Sequence, residues 1–598
     1  MPERLPSHPA SAPAAADRTY SLAVSGSGGA GVMTAGALLL DAAALAGLYG
    51  LMVRTSGPQI RGGEAAALLR LGGRQPLTAL DDRFDLLLAL DWLNLARFND
   101  EIPLGQSSLL IGDADSGEAP ASMLAGGARL VLLPLKKAAK AAGGWINMVA
   151  LGLAGRLAGI DAATLEQAVR ASWKRGEEAL RSNLAAVARG VELAGEVAAP
   201  LPPPLAPPGS APPGRWLVTG NEAAGCGAIR GGVRFVAAYP ITPATELLEW
   251  MSPALTRVGG TLLQAEDELA SINMIIGASY GGVPSLTATA GPGLALMTES
   301  IGLAVAAEVP VVVVDVMRGG PSTGIPAKSE QSDLSFAVEG LPGDAPRLVL
   351  APNSIADCLA TTEWAVQLAE ALQAPALVLS DQLMGQSRAV IDRPTQAPVP
   401  ARRLVAEANA SGYQRYLDTP SGVSPMAIPG TPGTVYTADG LEHTERGIPS
   451  SSAADHRRQL DKRLRKLEQY DYGSRWADVE GDAELAVITF GSQTGAVREA
   501  LARAAARGTP LRLVSLRLLA PLLPAAIEQA LQGVRQVLVV ELNHGGQLLR
   551  YLRSRVDLPG RPAGLHRPGP LPFRPGELAD AFVAWAAAHQ RRAQEATA

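Results

Sequence analysis

A multidomain α/β protein is what this sequence predicts, and three observations predict it. Short apolar runs alternate with helical patterns along most of the 598 residues, the signature of helices packed on a mostly parallel sheet. Residues 199–214 hold eight prolines in sixteen positions, which favours extended polyproline II and splits the chain with a semi-stiff spacer. The length corresponds to about three to five domains.

Taken in order, residues 1–19 lack the apolar run of a signal peptide and are expected as a frayed tail. In residues 20–198, strands are expected over 21–26, 85–90 and 129–135, with helices over 30–48 and around 165–173. The spacer (199–215) leads to a second unit, 216–385, with strands expected at 235–240, 261–265, 285–290, 310–316 and 376–381. Ser354 with Asp357 makes a capping-box pattern that opens a helix over 354–372. Residues 386–482 are rich in proline, glycine and charge, with one convincing helix over 454–470, and read as an excursion lying over other domains or partners. A third unit, 483–598, carries strands at 484–492, 511–517 and 536–543.

Composition narrows the function. Lys and Arg total 52 against 57 Asp and Glu, a net charge of −5, which argues against nucleic-acid binding through a broad basic face. Two cysteines, Cys226 and Cys358, can neither staple the chain nor ligate a four-cysteine cluster, and a reducing cytoplasm is the expected compartment. The greasiest stretch, 301–317, is interrupted by Glu308 and Pro310. It reads as a helix end followed by a buried strand, so no membrane partner is expected.

Four motifs carry the chemistry. Gly26-Ser27-Gly28-Gly29-Ala30-Gly31 lies between a strand and a helix, where free N–H groups and a helix N-terminus suit a phosphate. No acid follows in 42–63 to hold a bare ribose; Arg54 and Arg61 are there instead, which suits a phosphorylated ribose such as that of coenzyme A. A tight turn without a ligand is the alternative. Tyr239-Pro240-Ile241-Thr242-Pro243 lies at an expected strand end, with Thr242 as expected N-cap and Pro243 at N1, a place to catch a carboxylate or phosphate; a helix cap alone is the alternative. In Glu266-Asp267-Glu268, the first two sit where caps belong, whereas Glu268 shares a stripe with Ile272, Ile275 and Ile276. A carboxyl on an apolar stripe costs several kcal/mol of desolvation unless something pairs with it. A proton-sharing partner is therefore expected, with a solvent-reaching glutamate as the alternative. Arg318, in the glycine-rich turn after the 310–316 strand, can clamp a carboxylate or simply bridge to Asp315 or another acid; Lys328 is a second anion contact.

Absences matter too. There is no Cys-x-x-Cys, no Gly-Lys dipeptide of a Walker loop and no metal spacing among the six histidines. The Gly-Asp-Gly motif that holds magnesium and a pyrophosphate is missing as well.

In their order, these segments resemble the 2-oxoacid:ferredoxin oxidoreductases, in the form where a gamma domain is fused ahead of the alpha subunit. GSGGAGVMTAG, RTSGPQIRGGE and NMVALG look like gamma; YPITP, AEDELASINMIIGAS, ATAGPG and MRGGPSTGIPAKSEQSDL look like alpha. The resemblance implies three α/β domains: a gamma-type domain, a thiamine-enzyme pyrimidine-type domain and a transketolase C-terminal-like domain. It implies oxidative decarboxylation of a 2-oxoacid on thiamine diphosphate, with transfer of the acyl group to coenzyme A. Glu268 matches the glutamate that faces N1′ of the aminopyrimidine, and Thr242 and Arg318 match the contacts to the substrate carboxylate. Gly26, Ser27, Gly28, Gly29, Ala30, Arg54, Asn147 and Asn183 fall where coenzyme A is held. Mg2+, the diphosphate and a 4Fe–4S cluster would belong to a separate beta subunit, giving an assembly with two copies of each chain and ferredoxin as acceptor. The segments around 54–64, 320–331 and 454–473 look most like members acting on 2-oxoglutarate, and Lys328 would then meet the distal carboxylate. The same chemistry on pyruvate or on a branched-chain or aromatic 2-oxoacid, and a non-catalytic assembly subunit, are the alternatives.

Overall fold

The first unit begins with β1 (Thr19–Ser27), whose central residues are buried on both faces, and passes through the glycine-rich turn into the helix Val32–Leu45. That helix buries Val32, Ala35, Leu38, Leu39 and Ala42, an apolar stripe laid on the sheet. There follow β2 (Tyr49–Ser56), β3 (Glu64–Gly72), β4 (Leu86–Ala89), β5 (Leu109–Asp113) and β6 (Arg129–Leu133). Beyond the spacer come β7 (Arg215–Thr219), β8 (Phe235–Ala238), β9 (Thr261–Gln264), β10 (Ser285–Thr289), β11 (Val312–Met317), β12 (Leu348–Leu350), β13 (Ala376–Asp381) and β14 (Arg388–Asp392). The last unit supplies β15 (Ala477–Glu480), β16 (Leu485–Phe490), β17 (Arg512–Leu516), β18 (Leu518–Ala520), β19 (Gln536–Glu541) and β20 (Ala563–His566). These elements are those of a computed structural model that describes residues 18–57, 63–174, 176–197, 205 and 214–597. The expected frayed tail, Arg61 and nearly all of the proline-rich spacer lie outside the described residues.

Three sheets result. The first runs β6-β5-β4-β1-β3-β2-β14-β7, the second β18-β12-β13-β11-β10-β8-β9, and the third β15-β17-β16-β19-β20. The second is parallel except for β18, which pairs antiparallel with β12. The first is parallel only from β6 to β1; from β1 to β7 every pairing is antiparallel. The expectation of a mostly parallel first sheet is thus corrected. β2 and β3 form an antiparallel pair where the sequence suggests a ligand-binding stretch, and their apolar residues are simply the buried faces of those strands.

Sheet membership does not follow chain order. β7 and β14, at either end of the middle unit, extend the first sheet, while β18 of the last unit closes the edge of the second. The units are therefore stitched together by backbone hydrogen bonds as well as side chains. The segment after β14 lies over the middle unit through the helix Ala453–Glu468. Lys462 and Lys466 both donate to the wholly buried carboxylate of Glu308, the latter at 2.9 Å, and Arg415 donates to the Glu308 carbonyl at 2.8 Å. The 301–317 stretch is a helix end followed by β11, as expected. Among the described residues no helix is long and apolar enough to cross a membrane.

Candidate active site

Parallel strands end on one side of a sheet, and ligands of such sheets gather there. β8, β9, β10 and β11 end together, and each is followed by one of the segments singled out above. After β9, Asp267 caps the helix Glu268–Tyr280 by accepting from the Ala270 N–H at 2.7 Å. Glu268 begins that helix and is only 7% exposed, on a stripe with Ile272, Ile275 and Ile276, all buried. Its carboxylate rests against the glycine turn after β10: a Cβ on Gly293 would stand 2.7 Å from Glu268 Oε1. Among the described residues no side chain or backbone N–H donates to that carboxylate, so its proton-sharing partner is absent from this chain's own bonds.

Thr242 does not cap the next helix. The turn Ile241–Ala244 closes on itself, with the Ala244 N–H donating to the Ile241 carbonyl at 2.8 Å, and the helix starts only at Thr245 behind an Ala244 N-cap. The expected cap is therefore corrected, because this turn spends two residues before helical geometry begins. The Thr242 carbonyl instead accepts from Arg318 Nη1 at 2.5 Å. Asn221, buried, donates to the Pro243 carbonyl at 3.0 Å and steadies the same turn.

Arg318 follows β11, is buried, and leaves its Nε without a partner. Burial pulls the guanidinium pKa down, while the charge of Asp333 pushes it back up. Neither acid forms a direct ion pair with Arg318: the nearby carboxyls, Asp315 on β11 and Asp333 before the helix Leu334–Glu339, face each other instead. Neither carboxylate oxygen of Asp315, nor Asp333 Oδ2, has an N–H or hydroxyl donor.

At the first sheet, Gly31 has φ of 80° and ends the glycine turn in a left-handed conformation, and the helix after it has no side-chain cap. Gly28 and Gly29 are exposed, and a Cβ on Gly29 would meet nothing within 4 Å, so an anion can approach. Gly26 packs against Leu90, and the Ser27 N–H and hydroxyl both donate to Asp91 Oδ2, at 3.0 and 2.8 Å. Ala30 closes the turn by donating to the Ser27 carbonyl. Asn147 Nδ2 donates to the Gly31 carbonyl at 3.2 Å. Asn183 bonds along its own helix to Ala179 at 2.8 Å, makes no hydrogen bond to the turn, and buries Oδ1 without a partner. Sequence reasoning missed Asp91; its signal was the acid directly after the apolar run 86–90, just past the end of β4, the strand paired with β1.

Arg54 and Lys328 lie apart from that turn. Arg54 is ion-paired with Glu246 on the helix after Thr242, and Lys328 donates to Glu101 at 2.6 Å and to Thr55. Both line a cavity of about 160 Å³ where all three units meet, with Arg567 and Arg574. Lys328 is thus already neutralised by a carboxylate of the first unit.

Comparison with known proteins decides the family. Three family models match successive parts: "Pyruvate ferredoxin/flavodoxin oxidoreductase" over 21–193, "Pyruvate flavodoxin/ferredoxin oxidoreductase, thiamine diP-bdg" over 226–462, and "Pyruvate:ferredoxin oxidoreductase core domain II" over 483–561. A 2-oxoglutarate synthase subunit KorA of Methanothermobacter marburgensis is 35% identical over 59% of this chain and 96% of its own length. The chain belongs to the 2-oxoacid:ferredoxin oxidoreductase family. The alpha subunit of 2-oxoacid:ferredoxin oxidoreductase 2 from Aeropyrum pernix is 33% identical over 72% of each chain. The solved 2-oxoglutarate:ferredoxin oxidoreductase from Magnetococcus marinus, with 2-oxoglutarate, coenzyme A and succinyl-CoA bound, matches with a TM-score of 0.88 and 37% identity, covering 94% of this chain and 98% of that one. This chain is accordingly an alpha-type subunit of such an oxidoreductase, with a thiamine-diphosphate-binding domain.

Proposed function

We propose that this chain is the fused gamma–alpha subunit of an oxidoreductase that converts 2-oxoglutarate and coenzyme A to succinyl-CoA and CO2. One carbon–carbon bond breaks, one carbon–sulfur bond forms as the coenzyme A thiol gives up its proton, and two electrons leave singly. They pass to ferredoxin through an iron–sulfur cluster on a separate beta subunit, in an assembly with two copies of each chain. The observation that carries the reading is the Glu268 carboxylate, buried on an apolar stripe with no donor among the described residues. A desolvated acid of that kind is costly unless a ligand shares its proton. The residues around it fit thiamine diphosphate: glycine at 293 adds no side chain against the carboxylate, and Arg318 is joined to the Thr242 carbonyl at the ends of strands in the same sheet.

Bound thiamine diphosphate supplies the nucleophile and the electron sink for decarboxylation. With that cofactor bound, the Glu268 carboxylate would be the group that shares a proton with its ring. Arg318, held by the Thr242 carbonyl, orients the 2-oxoacid carboxylate beside that acid. The open N–H groups of Gly28 and Gly29, at the N-terminus of the helix Val32–Leu45, take a phosphate of coenzyme A, with Ser27, Ala30 and Asn147 fixing the turn. The choice of 2-oxoglutarate is supported by the Magnetococcus marinus enzyme, which binds it.

The test is to purify the chain with its beta partner and assay coenzyme-A-dependent reduction of an artificial acceptor with 2-oxoglutarate, pyruvate, and branched-chain and aromatic 2-oxoacids. The expected result is strong preference for 2-oxoglutarate and loss of turnover in Glu268→Gln. Preference for another acid would replace the substrate, and full turnover of Glu268→Gln would end the reading.

A further inference from the structure

Behind Arg318 the fold brings two carboxyl groups together, that of Asp315, a wholly buried residue, and that of Asp333, a half-buried one whose Oδ2 is shut away from solvent. Asp315 is wholly buried on β11, and both its oxygens lack an N–H or hydroxyl donor. Asp333 reaches it from the loop before the helix Leu334–Glu339, and the two carboxyls lie within hydrogen-bonding reach of each other. No lysine, arginine or histidine pairs directly with either carboxyl among the described residues. Two buried carboxylates side by side cannot both be ionised, since their repulsion adds to the desolvation of each; one proton between them removes both costs.

Which one keeps the charge follows from the surroundings. Asp333 lies against the N-terminal turn of the helix Gly291–Ala306: a Cβ on Gly291 would stand 2.7 Å from Asp333 Oδ2. The positive end of a sixteen-residue helix favours an anion there. Asp315 sits inside the sheet with no such help. Burial, then the charge of Asp333, pushes the Asp315 carboxyl far above its usual range. Burial and Glu330 push Asp333 up to about 6, against the opposing pull of Arg318. The charged or titratable groups facing Asp333 are Asp315 from β11, Arg318 just after it, and Glu330 from its own loop, which itself faces His544.

We propose that Asp315 and Asp333 form a proton-sharing pair carrying one negative charge at neutral pH, and that this charge positions Arg318 for the carboxylate of the 2-oxoacid. The pair acts through Arg318 and touches no reacting atom, so both are positioning residues. This rests on the assignment of Arg318 to the substrate carboxylate, made above. A full ion pair would spend the guanidinium fork; a single charge a little further off steadies it and leaves Nη2 for the substrate. When pH falls through about 6, Asp333 takes up a proton and the hold on Arg318 is lost.

Two measurements on the complete complex test this. Infrared spectroscopy of the wild type at neutral pH should show the carbonyl stretch of a buried protonated carboxyl, and the band should vanish in Asp315→Asn. That variant keeps a donor to Asp333 and the single charge, so its KM for 2-oxoacid at neutral pH should stay within about twofold of wild type. Asp333→Asn removes the charge and should raise KM by about tenfold with a smaller change in kcat. The wild-type KM should rise as pH drops through about 6, and this rise should be flattened in Asp333→Asn. Absence of the band in wild type, or a wild-type KM and pH profile in Asp333→Asn, would overturn the pair. An Arg318→Ala variant with unchanged KM would sink the substrate assignment instead, and leave the infrared band standing.

Discussion

The Glu268 side chain packs on Gly293 together with the Thr289 hydroxyl: a Cβ at 293 would overlap Thr289 Oγ1 and stand 2.7 Å from Glu268 Oε1, so both would have to give way. The acid comes from the helix after β9 and the glycine from the turn after β10, two strands separated in the sheet by β8. The thiamine-type acid is therefore aimed by a neighbouring turn as much as by its own helix.

Glu268→Gln should lower kcat of the complex about 10²–10⁴-fold, the range for a lost acid–base group. Gly293→Ala should cost a comparable fraction of activity while Glu268 is still present, because the added methyl pushes the carboxylate aside. Steady-state kinetics on both variants, with circular dichroism to show that each is folded, makes the comparison. Wild-type kcat in Gly293→Ala would mean that the contact positions nothing.

Asp91 holds the glycine turn through two hydrogen bonds to Ser27. Asp91→Ala removes both charge-assisted bonds to Ser27 and should raise the KM for coenzyme A about tenfold or more. The KM for the 2-oxoacid should not move, since the site proposed for it lies on the second sheet. Equal effects on both would show a general disturbance of the first unit.

Lys328 is committed to Glu101. Lys328→Met should therefore leave the ratio of kcat/KM for 2-oxoglutarate and pyruvate within about threefold of wild type. A collapse of that ratio would show that the lysine leaves Glu101 for the distal carboxylate when substrate binds.

Glu308 anchors the connecting segment. Burial alone would raise its pKa, but Lys462 and Lys466 outweigh it and hold the carboxyl well below the usual range. A folded pKa below the unfolded one gives stability that is complete above the unfolded value of 4.5 and is lost as pH falls beneath it. Glu308→Gln leaves two buried ammonium groups uncompensated and should cost about 3–5 kcal/mol at neutral pH. Urea unfolding at pH 7 and in acid checks this: the gap between wild type and variant should narrow in acid. An unchanged midpoint at pH 7 would show the cluster to be energetically idle.

Much of the site is legible in the residue order. Glu268 stands out because its spacing to Ile272, Ile275 and Ile276 puts an acid on an apolar stripe, and the stripe is buried. The glycine turn is legible because a strand, three glycines and a helix admit few geometries. Thr242 reads as a cap because Thr-Pro is a good cap pattern, whereas in the fold the Ile241–Ala244 turn intervenes. The Asp315–Asp333 contact joins a strand to a loop eighteen residues on, and nothing in either local pattern announces it.

What the sequence alone determined about this protein is local: which stretches are strands or helices, where turns demand glycine, and which polar groups are stranded among apolar ones. Periodicity and backbone sterics act over a few residues, so they can be read from a few residues. Only the tertiary structure decided that β7 and β14 join the first sheet, that β18 closes the second, and that Lys328 meets Glu101. Those pairings join residues far apart in the chain, and they are chosen by which edges and charges remain to be satisfied once everything else has packed.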